Sequence, residues 1–167
     1  MTETRLTAAE AEVEFWKHLK SSNTGMLGLD QPGYHSQPMT AFRDADTGAI
    51  WFFARTDSDL VRDVAAGGQD AMFTYGSKDQ ELWACFHGKL SVQRNQTIID
   101  AHWNPIVAAW YPQGKEDPHL TLLRFDGDDG RVWFSDKGAV GFLYEVVKAN
   151  LTKTTPDAGG VSDVNLR

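Results

Sequence analysis

From Glu81 to Arg94 every second side chain is apolar or glycine. Leu82, Ala84, Phe86, Gly88, Leu90 and Val92 fall on one face of an extended chain. Trp83, Cys85, His87, Lys89, Ser91 and Gln93 fall on the other. A period of two sustained this long requires a strand with one face on a core. Strands of this length commonly bend or change partners, and Gly88 is the expected bend.

The runs around it have the same character. Met26-Leu27-Gly28-Leu29 is a short apolar strand, and Asp30-Gln31-Pro32-Gly33 is turn chemistry. Residues 35–42 make a return strand broken by Pro38. Proline cannot donate to a ladder, so this place is an edge, a bulge or backbone facing something other than a strand. After a turn at residues 44–48, Ile50-Trp51-Phe52-Phe53-Ala54 is a dense aromatic strand, and Ala71-Met72-Phe73-Thr74-Tyr75 is another. Phe125 leads into Asp126-Gly127-Asp128-Asp129-Gly130, expected as a hairpin turn before the strand Arg131-Val132-Trp133-Phe134.

Helices are marked by their caps. Thr7 and Glu10 form a capping box for a helix reaching about Lys20, with Val13, Trp16 and Lys20 on one face, Phe15 and Leu19 beside them and His18 on the surface. Asp57 or Ser58 caps a helix carrying Leu60, Val61, Val64 and Ala65, ended by Gly67-Gly68. Asn95 caps a helix with Ile98, Ile99, His102 and Trp103. Asn104-Pro105 starts a short one with Ile106, Val107 and Trp110 on one side, stopped by Pro112 and Gly114. Asp136 or Ser135 caps a last helix with Phe142, Leu143, Val146 and Val147. Residues 152–167 form a short terminal strand or stay loose. The whole is one α+β domain over residues 1–167, with six to seven mostly antiparallel strands, compatible with a small closed or split β-barrel and peripheral helices.

A net charge of -7 without a basic cluster argues against nucleic acid and anionic membranes as partners. The one cysteine, Cys85, allows no internal disulfide and reads as a buried, inert thiol. No apolar run reaches membrane-spanning length, and the charged N-terminus does not read as a signal peptide; a cytoplasmic location is expected. No pair among His18, His35, His87, His102 and His119 has HxxxH or HExxH spacing, so no metal site is expected. No GxSxG elbow, GxGxxG or phosphate loop is present.

Taken in order, the segments resemble the pyridoxamine-phosphate-oxidase-like split barrels, in their general stress protein branch, over residues 13–147. The resemblance rests on Met26-Leu27-Gly28-Leu29, Gln37-Pro38-Met39-Thr40, Ile50-Trp51-Phe52-Phe53 with Arg55-Thr56-Asp57-Ser58, and the long strand to Gly88. Above all it rests on Trp103-Asn104-Pro105, Ala108-Ala109-Trp110-Tyr111, Gly114-Lys115-Glu116-Asp117-Pro118 and Leu122-Leu123-Arg124-Phe125. It implies a homodimer with flavin mononucleotide (FMN) held between two subunits. Gln37, Pro38, Met39, Thr40, Phe53, Ala54, Arg55 and Thr56 would face the ring and ribityl chain. Ser58 and the following helix start, with Leu60, would meet the phosphate. Trp110 and Tyr111 resemble residues that reach the site from the partner. The family usually has Arg where Gln37 stands. Many flavin-binding members have Lys at Leu60, and the oxidase branch has Arg at Asp59. No catalytic acid or base stands out. The implied function is an FMN-binding, stress-related, oxidoreductase-like protein distinct from a true pyridoxamine-phosphate oxidase. The alternative is a non-catalytic dimeric ligand-binding or interaction module that has lost tight flavin binding.

Overall fold

The computed structural model describes residues 6–64, 66–135, 138–155 and 159–166. Its strands are β1 (Thr24–Leu29), β2 (Gln37–Thr40), β3 (Phe42–Arg43), β4 (Ile50–Arg55), β5 (Gln69–Gly76), β6 (Leu82–Gln93), β7 (Leu120–Phe134) and β8 (Gly160–Val164). The α-helices are α1 (Ala8–Ser21), α2 (Asp59–Asp63), α3 (Gln96–His102), α4 (Pro105–Ala108) and α5 (Gly138–Thr152), with a 3-10 turn at Gly114–Glu116.

All pairings are antiparallel, in the order β2-β1-β5-β6-β7-β4-β3, with β8 on the outer half of β7. The two ends of this order are one stretch of chain. β2 pairs with β1, with Thr40 opposite Thr24, and β3 pairs with β4, with Phe42 opposite Trp51. Between them Ala41 donates its N–H to Asn23 at 2.7 Å, and the Asn23 amide donates back to the Ala41 carbonyl at 3.1 Å. The sheet therefore curls back on itself as an antiparallel split barrel with helices around it. Pro38 lies in β2, whose other edge carries no strand among the described residues, and residues of β2 line the cleft described below.

The bend falls at Gly88. The β6–β7 register shifts between His87 and Gly88: His87 faces Asp129, Gly88 faces Gly127, and Asp128 is the extra residue of a bulge. The hairpin turn expected at Asp126–Gly130 does not form, because β6 pairs with β7 on both sides of these residues. Their glycines serve close approach instead. A Cβ on Gly88 would run into the Asp126 carbonyl, and one on Gly130 into the Phe86 ring. On β6 itself, Leu82, Ala84, Phe86 and Leu90 are buried as expected, while Val92 is exposed.

Two cores lie on opposite faces of β4. Ile50 and Phe52 point into the barrel with Leu27, Phe73, Phe86, Leu90 and Phe125; Trp51 packs outside with Ile98, Ile99, Val107, Tyr111 and Leu122. This explains why β4 is apolar at successive positions, since a strand covered on both faces has no polar side. The Thr7 capping box of α1 forms, but its buried face is Ala11, Phe15, Trp16 and Leu19, with Val13 exposed. The helix turns this way because Phe15 packs at a tilt against Phe86, ring centroids 4.7 Å apart, and meets Tyr75 edge-on. Arg43 covers the Trp16 ring at 4.5 Å. The tail forms β8, and Ser162 donates to the Leu6 carbonyl. The expected cap Asp136, Ala65 and the Phe142 side chain lie outside the described residues. No helix among the described residues is long and apolar enough to cross a membrane.

Candidate functional site

A cleft of about 580 Å³ opens beside the second core, within the range of about 300–1,000 Å³ typical of small-molecule sites. Three stretches far apart in sequence build it: the β2–β3 run, the end of β4 with the start of α2, and the corner 104–111. Gln37, Pro38, Met39, Thr40, Phe53, Ala54, Arg55, Ser58, Leu60, Trp110 and Tyr111 all line it. Thr56 does not. Its N–H donates to the His119 carbonyl at 2.9 Å, and its hydroxyl sits 3.5 Å from His119 Nδ1. Asn23, Thr24, Phe42, Asn104, Ile106, Val107 and Leu123 complete the lining. Of these Phe42 was within reach of sequence reasoning, being the next residue but one after Thr40 on the same run.

The corner is fixed by its cap. Asn104 Oδ1 accepts from the N–H groups of Ile106 at 2.9 Å and Val107 at 3.1 Å, and Pro105 fills the first helical position. Val107 and Tyr111 turn inward, whereas Ile106 and Trp110 are exposed. The expectation that Ile106, Val107 and Trp110 fall on one side therefore holds only for Ile106 and Trp110, because Val107 alone of the three packs into the second core. Tyr111 donates its hydroxyl to the Ala54 carbonyl at 2.9 Å and so belongs to the wall of its own chain's cleft. The buried Asp117 carboxylate accepts from the backbone of His119 at 2.9 Å and Gln113 at 3.2 Å; these bonds, His119's first, hold its pKa below the usual range.

Burial pushes the Tyr111 phenol up to about 12. An unfolded tyrosine ionises near 10, so the folded state keeps a proton that the unfolded state has lost. The stability due to Tyr111 is present below about pH 10 and disappears as pH rises to about 12. Tyr111→Phe is expected to lower the melting temperature at pH 8 by a few degrees, for loss of one buried hydrogen bond. The variant should also lose less stability than wild type between pH 10 and 11.5. Parallel pH profiles would rule this out.

The cleft is chemically lopsided. Its walls are aromatic, aliphatic and hydroxyl- or amide-bearing, and Arg55 is its one Lys or Arg among the described residues. Arg55 is already engaged. Its Nε and Nη2 each donate to Asp57 at 3.0 Å, and Nη1 reaches the Trp110 carbonyl at 3.5 Å. Ser58 caps α2, accepting from Val61 and donating to the Arg55 carbonyl at 2.8 Å. Leu60 is 1% exposed and packs into the barrel core. Asp59 pairs with Arg62 on the surface.

The sequence from residue 10 to residue 157 matches the family model described as pyridoxamine 5'-phosphate oxidase like. The chain belongs to that family. Among solved structures it is similar to a protein from Jannaschia sp. CCS1 described as a general stress protein 26. The two share 36% identity over 95% of this chain and 99% of that one, with a TM-score of 0.79. A general stress family protein from Xanthomonas campestris pv. campestris gives 40% identity over 78% and 91% of the two chains, TM-score 0.71. The general stress FMN/FAD binding protein from Xanthomonas citri gives 41% identity over 75% and 89%, TM-score 0.69. Comparison with curated proteins gives no match.

Proposed function

We propose that this cleft binds a flavin, with FMN as the resident cofactor, and that the protein is a stress-related, oxidoreductase-like member of its family. The observation that carries this reading is the convergence of β2, the end of β4 and the 104–111 corner on one cavity of about 580 Å³ with a mixed aromatic and hydroxyl lining. The donor set fits a planar ring and a polyol chain. Phe53, Met39 and Tyr111 would bound the ring, Gln37, Thr40 and Asn104 would meet its polar edges and the polyol, and Ser58 with Arg55 would hold the phosphate end. The flavin would supply the redox chemistry, and the protein's share is to bind, orient and exclude water. The similarity to the Xanthomonas citri FMN/FAD binding protein supports the same ligand class.

A second reading, a non-catalytic module, is favoured by one observation: Asp57 already occupies Arg55. Titration of FMN and riboflavin by quenching of flavin fluorescence separates the two. Saturable binding with one flavin per chain supports the first reading. No binding of either flavin leaves the module.

The assembly is proposed as a homodimer. Ile106 and Trp110 beside the cleft, and Leu143, Tyr144, Val147 and Leu151 on α5, are all more than half exposed. Apolar surface of this kind marks interfaces. Light scattering at micromolar concentration is expected to give twice the chain mass. A monomer mass would refute the dimer and leave the flavin reading standing.

A further inference from the structure

At the far end of α1 another group of side chains meets. His18 Nδ1 lies 3.6 Å from Asp79 Oδ2, and Nε2 lies 3.9 Å from Glu14 Oε2. One ligand atom each from His18, Asp79 and Glu81 falls within 4.8 Å of the others. The imidazole is only 14% exposed. Lys17 answers Glu14 at 3.1 Å, but among the described residues no Lys or Arg pairs with Asp79 or Glu81. Two carboxylates thus crowd one imidazole, which carries at most a single charge. Close by, the Tyr75 hydroxyl is buried and has no hydrogen-bond partner among the described residues. Burial raises its pKa, and the Asp79 charge adds to the effect.

We propose that His18, Asp79 and Glu81 form a site for a divalent metal ion with the preferences of zinc, which clips α1 to the β5–β6 turn. One imidazole nitrogen and two carboxylate oxygens, with water in the fourth place, make a zinc-type donor set. Calcium and magnesium would instead demand an all-oxygen shell. Metal–ligand distances of about 2.0–2.2 Å require the donor atoms to draw in by roughly 1 Å. Asp79 keeps Oδ1 on the Ser77 hydroxyl and the Glu81 N–H and offers Oδ2 to the site, while Glu81 follows in the same turn before β6. Glu14 sits behind the far imidazole nitrogen, where it would accept the Nε2–H, fix the tautomer and strengthen the ligand. Histidine spacing along the sequence could not show this site, since its ligands lie on elements joined only by the fold. Zinc bound here would stabilise the folded chain by mass action.

The test is calorimetric titration of chelator-treated, dialysed protein with zinc chloride, alongside melting curves and the visible spectrum with cobalt(II). Wild type is expected to bind one zinc per chain at this site, to melt higher in zinc, and to give a cobalt spectrum of tetrahedral nitrogen–oxygen coordination. Glu81→Gln should weaken zinc binding at least about tenfold. Glu81→Gln with His18→Gln should abolish the melting shift. Glu81→Gln changes a side chain outside the core, so it keeps the test valid if the double variant folds poorly. No zinc-dependent shift in wild type, or an equal shift in Glu81→Gln, would overturn the site. None of these readouts depends on flavin.

Discussion

Gly88→Ala is expected to destabilise the protein by about 3 kcal/mol or more and to lower its melting temperature by about 6–12 °C. At Gly88 the backbone of β7 lies against that of β6, beside the bulged Asp128. An added methyl would meet the Asp126 carbonyl and stand 2.9 Å from Gly127 Cα. These are backbone atoms, so no rotamer change can relieve the clash. One of the two longest strands would have to slide or part, and both halves of the barrel hang on this pair. Gly76→Ala is the control. Its new methyl would stand 3.3 Å from Cδ1 of Trp83, a half-exposed indole that can rotate aside. That variant should stay within about 0.5 kcal/mol of wild type. Circular-dichroism melts of both decide the matter: a Gly88→Ala protein as stable as Gly76→Ala would mean that the close approach is absent.

This contact also shows where the sequence speaks clearly. The alternation in β6 and the bend at Gly88 are local and were readable. So were the caps Thr7, Ser58, Asn95 and Asn104, because each uses a side chain to satisfy helical N–H groups within a few residues. Asp126-Gly127-Asp128-Asp129-Gly130 was misread because Asp and Gly signal a turn until a partner strand is known to cover them. That partner, β6, is remote in sequence. The face of α1 was misjudged for a related reason: the helical period admits several faces, and only the barrel core selects Ala11, Phe15 and Leu19. In the cleft the individual segments were found through family likeness rather than spacing, since no local pattern brings β2 beside the end of β4. Of the two candidate caps Asp57 and Ser58, Ser58 takes the role and Asp57 binds Arg55. Leu60, expected at the phosphate end, lines the cleft and is also a core residue.

Asp57→Asn is expected to tighten FMN binding about tenfold while leaving riboflavin unchanged. The reasoning starts from the proposed flavin site. A phosphate at Ser58 and Arg55 must now compete with the Asp57 carboxylate, which holds both arms of the guanidinium at 3.0 Å. Arg55 in turn holds that carboxyl below the usual carboxylate range, with its hydrogen bond the leading cause and the His119 charge a minor one. The pair therefore persists at any pH used for flavin titration, and mild acid does not imitate the mutation. Asparagine keeps the side-chain size, removes one negative charge from the mouth of the cleft and frees the fork for phosphate oxygens. Gln37→Arg should add to the gain, because Gln37 is exposed on the rim of the cleft. Leu60→Lys should not be used for this purpose: at 1% exposure a lysine there places its charge in the barrel core and costs stability instead. Both gains should shrink in high salt, which screens an exposed phosphate contact. Fluorescence titrations of the two flavins at low and high salt measure every part of this. Equal gains for FMN and riboflavin would show that Arg55 does not meet the phosphate. An unchanged FMN affinity in Asp57→Asn, with the variant folded, would show that the Arg55–Asp57 pair is not what limits the grip.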